Sequence, residues 1–228
     1  MKFILTDIEG TTTSINFVHD ELFPYSEKRM KDFVVSNLLN TDVQSCLNLV
    51  KKTIIEEESM NQNQEINLDQ IILQLKKWIK QDRKHPALKT LQGMIWKVGY
   101  ELGEIKGHLY EDVLPALIKW KESSIQLAVY SSGSVQAQHL IFKHSIKGDL
   151  KSYFTHFFDT AVGNKREITS YQNIAKALQT LPSDILFLSD IKEELDAAHA
   201  VGFQTIQLVR NDKVVIGNHK TVKNFSEI

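Results

Sequence analysis

Disulfides are excluded at the outset. One cysteine, Cys46, occurs in 228 residues, so no intrachain bridge can form. A lone thiol fits a reducing compartment, and Cys46 sits on an apolar helical face where a buried, inert role is expected. No apolar run approaches the ~20 residues that cross a bilayer. The opening MKFILTDIEG has too short an apolar stretch for a secretory leader and no small-residue cleavage site. The expectation is a cytoplasmic monomer with no membrane partner. Neither sign of charge dominates: the formal net charge is -1, so no basic field exists to gather a nucleic-acid backbone. Internal repeats and low-complexity tracts are absent. So are G-x-S-x-G, H-E-x-x-H, Walker and G-x-G-x-x-G patterns. His139, His144 and His156 have no metal-ligand spacing.

What is present is ordinary for a globular enzyme. Charged residues make up 24% and apolar residues 42%, and the length allows one large domain or a domain with an insertion. Short apolar runs predict strands at 3–5, 126–130, 156–158, 185–188 and 205–209. Helical spacing follows three of them, at 135–143, at 168–178 with Ile168, Tyr171, Ile174, Ala175 and Leu178 on the apolar face, and at 193–201. Alternating strand and helix predicts an α/β doubly wound parallel sheet.

About a hundred residues without a strand separate the first run from the second. Val43, Cys46, Leu47, Val50 and Ile54 share one helical face. Asn67 is placed to cap a helix carrying Ile71, Ile72, Leu75, Trp78 and Ile79. Pro86 opens another with Leu88, Leu91, Ile95 and Val98, and Pro24 marks a turn or a first helical turn. The polar stretch 59–67 reads as a loop. The domain reading is an α/β core at 1–15 and 107–228, with an all-helical cap at 16–106 inserted after the first strand.

The stretch TDIEGTTT places Asp7 and Glu9 two residues apart at a strand end. Like charges held that close need a cation or a proton-transfer task. In open parallel sheets, ligands bind at the carboxyl ends of strands. There the later strands deliver Ser131 and Ser132 before a Gly133-Ser134 helix start, then Lys165, then Asp190 with Glu194 a helical turn on. Each is commonplace alone; all of them at successive strand ends is not. Together they suit phosphoryl transfer. Asp7 can attack phosphorus. Asp7 and Asp190 can hold Mg²⁺. Ser131 and the N–H groups behind it can cradle phosphate. Lys165 can neutralise nucleophile and phosphoryl group. Glu9 can protonate the leaving oxygen and then activate water. Glu194 is expected to back this group from behind.

DIEGTTT, SSGS, Lys165 and LSDIKEE resemble the four ordered motifs of the haloacid dehalogenase-like phosphohydrolases. Their first motif usually reads Asp-x-Asp; here it is Asp7-Ile8-Glu9. That departure, with LQGMIWKVGYELGEIKGHLYEDVLPALIKW, VYSSGSVQAQ and ILFLSDIKEELDAA, resembles the acireductone synthases, the enolase-phosphatases of methionine salvage, from Lys2 to about Arg210. The resemblance implies a Rossmannoid core and a phosphorylated diketone, 2,3-diketo-5-methylthiopentyl 1-phosphate, enolised and then dephosphorylated. It implies one Mg²⁺ at Asp7, Glu9 and Asp190, and substrate binding by Ser131, Ser132 and Lys165. Alternatives are a general Mg²⁺-dependent phosphatase of the same superfamily, a metal-free dehalogenase, and an inactive binding module. The acids at Glu9 and Asp190 count against the dehalogenase, and the intact Asp7, Ser131, Lys165 and Asp190 count against the binding module.

Overall fold

Runs such as FILT and ILFLS have no polar face of their own, so they persist only where both sides are covered. In the computed structural model, which describes residues 1–57 and 65–228, they form the middle of a parallel sheet. The strands are β1 (Phe3–Thr6), β2 (Gln126–Tyr130), β3 (Phe154–Phe158), β4 (Ile185–Ser189), β5 (Gln204–Leu208) and β6 (Lys220–Val222). Their spatial order is β3-β2-β1-β4-β5-β6, every pair parallel. The helices in chain order are α1 (Ile15–Phe17), α2 (Phe23–Ser36), α3 (Thr41–Glu57), α4 (Leu68–Lys80), α5 (Pro86–Glu101), α6 (Val113–Glu122), α7 (Val135–Lys143), α8 (Ile168–Ala177) and α9 (Lys192–Val201). Among the described residues no helix is long and apolar enough to cross a membrane.

The chain divides into two compact units. Met1–Phe17 with Lys106–Ile228 makes the α/β unit, and Val18–Ile105 makes the helical one. In the α/β unit, Leu5, Ala128 and Phe187 from three neighbouring strands pack with Tyr171 and Ile174 of α8 and Leu195 of α9. Full burial of a side chain such as Leu5 contributes about 2 kcal/mol. Chain order runs outward from β1 in both directions, through β2 to β3 and through β4 to β6. The carboxyl ends of β1, β2 and β4 therefore flank the topological switch point, where such sheets bind ligands.

In the helical unit, Val43, Val50, Leu75, Trp78 and Leu91 close one core. The Asn67 side chain accepts the Gln70 N–H at 3.0 Å, and the Gln70 side chain accepts the Asn67 N–H at 2.9 Å, a reciprocal cap on α4. Asn67→Ala is expected to cost about 1 kcal/mol, read as a fall of about 2–4 °C in Tm. Of the loop expected at 59–67, residues up to 64 lie outside those described.

Three expectations are corrected. A sixth strand, β6, was not foreseen: KTV buries only Val222 and forms because β5 offers a free edge. Val98 is 43% exposed, because the buried stripe of α5 passes to Gly99 and Tyr100. Ile168 is 48% exposed because it begins α8 at the solvent end.

Candidate active site

β1 ends at Thr6 and the chain turns at once. The Ile8 carbonyl accepts from the N–H groups of Thr11, Thr12 and Thr13 at 3.2, 2.9 and 2.9 Å. Gly10 takes the positive φ of +76° that this turn requires. Its α-carbon lies against Asp190, where an added Cβ would fall 2.3 Å from Oδ2. Gly10→Ala therefore combines backbone strain with a clash against the Asp190 carboxylate. It should destabilise the protein by more than about 1 kcal/mol, measured by thermal unfolding, and should displace Asp190.

The turn sends the two acids of the first motif to different partners. Asp7 Oδ1 lies 2.6 Å from Lys165 Nζ. Glu9 Oε2 accepts the Ser131 hydroxyl at 3.1 Å, and Ser131 Oγ accepts the Gly133 N–H at 3.1 Å. An extended strand would have aimed both carboxylates one way; the turn after Thr6 separates them. Lys165 Nζ also lies 2.7 Å from Glu194 Oε2, which accepts the Ser189 hydroxyl at 2.9 Å. Glu194 thus joins an ion triad with Asp7 and Lys165, a more direct place than the supporting one expected from sequence. Ser132 follows Ser131 on the exposed side of its loop.

Glu9, Asp190 and Glu194 lie close enough to Asp7 and Lys165 for those charges to act on their protonation. Burial, then the charge on Asp7, pushes Asp190 up to about 7 and Glu194 up to about 7. Glu9 is raised for the same two reasons, with partial relief from Lys165 and Ser131. Burial alone would lower Lys165, but the carboxylates of Asp7 and Glu194 outweigh it and hold the ammonium charged.

The donor set suits a hard divalent cation. Asp190 Oδ1 is buried and, among the described residues, has no hydrogen-bond partner. The bare Gly10 α-carbon keeps the approach to that carboxylate open. Among the described residues no three His, Cys, Asp or Glu side chains gather into a metal-holding group. An ion here would take the Asp7 and Asp190 carboxylates, a main-chain oxygen and water. With Glu9 Oε2 accepting from Ser131, the Glu9 main-chain carbonyl would be the oxygen offered to an ion, and its carboxylate would stay available for proton transfer.

Sequence reasoning missed the residues that place Lys165. The Tyr171 hydroxyl donates to the Lys165 carbonyl at 2.6 Å, the Ser170 hydroxyl to the Asn164 carbonyl at 2.6 Å, and the Tyr130 hydroxyl to the Gly163 carbonyl at 3.0 Å. Tyr171 was visible only as an apolar position on α8. A buried tyrosine needs a partner for its hydroxyl, and that was the signal available.

Comparison with known proteins shows the family and the fold. A haloacid dehalogenase-like hydrolase family model matches residues 1–202. The chain is 47% identical to the Enolase-phosphatase E1 of Klebsiella oxytoca, over 100% of this chain and 96% of the relative. It is 46% identical to the Enolase-phosphatase E1 of Pseudomonas fluorescens (strain Pf0-1), over 100% and 97%. The crystal structure of the UTR4 protein from Saccharomyces cerevisiae superposes with a TM-score of 0.79 at 33% identity, covering 100% of this chain and 99% of that one. CbbY from Rhodobacter sphaeroides, in complex with phosphate, shares the fold at a TM-score of 0.61 and 14% identity, covering 100% and 96%.

Proposed function

Because the chain belongs to the enolase-phosphatase E1 family of haloacid dehalogenase-like hydrolases, we propose that it enolises and then dephosphorylates a phosphorylated diketone. The substrate is 2,3-diketo-5-methylthiopentyl 1-phosphate, and the products are 1,2-dihydroxy-5-methylthiopent-1-en-3-one and phosphate. The observation that carries the site assignment is the buried triad of Asp7, Lys165 and Glu194 at the strand ends. It sets the proposed carboxylate nucleophile 2.6 Å from an ammonium group that can also receive an anionic phosphate.

In the phosphatase step the Asp7 carboxylate attacks phosphorus and the P–O bond to the enol oxygen breaks as that oxygen takes a proton from Glu9, giving an aspartyl phosphate, the enol product and an ionised Glu9. Lys165 balances charge on nucleophile and phosphoryl group. Ser131, Ser132 and the N–H groups at the start of α7 hold the phosphate oxygens. Water then attacks the aspartyl phosphate with Glu9 taking its proton. Enzymes of this class are generally Mg²⁺-dependent. One Mg²⁺, held by Asp7, the Glu9 carbonyl and Asp190, would supply charge neutralisation between the carboxylates and the phosphate.

Enolisation asks for a base near C1, whose protons are acidified by two adjacent carbonyls. Glu9 is favoured for this step, since burial and Asp7 raise its basicity. Glu9→Gln should slow deuterium exchange at C1 and phosphate release together; both rates unchanged would remove Glu9 from the mechanism. The assignment as a whole is tested by mixing the diketone phosphate with enzyme and Mg²⁺ while following ultraviolet absorbance and phosphate. An enol phase preceding phosphate supports it. Turnover of sugar phosphates with none of the diketone would favour the general phosphatase instead.

A further inference from the structure

β5 and the residues just after it carry no group used above, yet Gln207 and Arg210 reach both acid-bearing loops. Gln207 is fully buried. Its Nε2 donates to the Asp190 carbonyl at 2.9 Å and to the Val215 carbonyl at 2.9 Å, and its Oε1 accepts the Gly217 N–H at 2.9 Å. Both amide hydrogens are therefore spent on main chain, one of them on Asp190 itself. Three residues on, Arg210 has a side chain only 5% exposed. Its Nε and Nη2 donate to a single acceptor, the Thr11 carbonyl, at 3.1 and 2.8 Å. Its Nη1 reaches Asp112 Oδ1 at 2.7 Å, and the guanidinium lies 4.3 Å from the Tyr110 ring centre and 5.2 Å from that of Phe225. The second oxygen of Asp112 accepts the Phe225 N–H at 2.7 Å.

A fold that needed only a partner for Asp112 had no reason to aim two guanidinium hydrogens at one main-chain carbonyl. Thr11 belongs to the turn whose Gly10 rests on the Asp190 carboxylate. One short segment therefore grips the main chain on both sides of the gap between the first and last acids.

We propose that Gln207 and Arg210 are positioning residues that fix the spacing of the 7–13 turn and the Asp190 loop, and so set the affinity for a divalent ion between them. The inference rests on the Mg²⁺ reading given above. Neither residue touches substrate or reacting atoms. Each acts through a carbonyl, of Asp190 in one case and Thr11 in the other.

The test is direct binding of Mn²⁺ to the full chain without substrate, counted by electron paramagnetic resonance of the free ion. Circular dichroism shows which variants are folded. Arg210→Met and Gln207→Leu should each bind about tenfold more weakly, the usual effect of removing an outer support of a metal site. Arg210→Lys keeps the charge beside Asp112 and one donor for Thr11. It should fall between the unaltered protein and Arg210→Met, and it serves as the readout if the methionine variant does not fold. Ile174→Val, a core change under the sheet, should lower Tm and leave binding unmoved. Folded Arg210 and Gln207 variants with unaltered Mn²⁺ affinity would overturn the brace. Absence of Mn²⁺ binding by the unaltered protein would overturn the ion reading itself, and the brace with it.

Discussion

Asp7→Asn should keep the fold and lose phosphate release by at least about a thousandfold, as expected when a covalent nucleophile is removed, while C1 deuterium exchange persists in part. An amide of the same shape cannot form the acyl phosphate. Lys165 keeps its 2.7 Å contact with Glu194, so the ammonium is not abandoned. The less obvious outcome concerns stability in chelator. Asp7 is a cause of the raised pKa at Glu9, Asp190 and Glu194. A carboxylate whose folded pKa exceeds its unfolded value costs stability once it ionises. Metal-free wild-type protein should therefore lose stability as pH rises from about 4, the unfolded value for Asp and Glu, through the folded value of about 7 at Asp190 and Glu194. In Asp7→Asn that decline should be shallower, because one repelling charge has gone. Thermal melts from pH 4 to 8 measure it. A decline as steep as in the wild type would show that burial alone sets these groups.

The second large effect is expected for Lys165→Met. The side chain is 6% exposed and its charge is shared by Asp7 and Glu194. Removing it leaves two buried carboxylates facing each other, a defect that costs about 3–5 kcal/mol. The deficit should be full at pH 8 and should shrink toward pH 5, where protonation of Glu194 removes part of the repulsion. Phosphate release should collapse at every pH, since protonating the acids does not restore a cation for the phosphate. A variant that melts like the wild type at pH 8 would mean that the triad is not a stabilising element.

How far the sequence foretold this molecule depends on distance along the chain. Runs such as ILFLS declare a buried strand locally, and helical faces such as Val43, Cys46, Leu47 and Val50 declare themselves within three turns. The helices between β1 and β2 were legible for the same reason. β6 was not, because a three-residue strand with one buried side chain has no period to detect. In the site, Asp7, Ser131, Lys165 and Asp190 stood out because parallel topology delivers strand ends to one edge. The direct pairing of Glu194 with Lys165 was not visible, because a first-turn acid on a helix has a sufficient local explanation. Tyr171, Gln207 and Arg210 bond to backbone far away in sequence, which leaves no spacing rule to read.

The sheet order has a consequence for how the protein is made. Phe3 must find Gln126 on one flank and Ile185 on the other. The strand that leads to Asp7 thus leaves the ribosome well before either neighbour exists. It must wait, apolar and unpaired, while the intervening helices are translated and fold on local contacts. Ribosome-bound chains halted before residue 126 should present this segment to holdase chaperones, and chains halted beyond 189 should not.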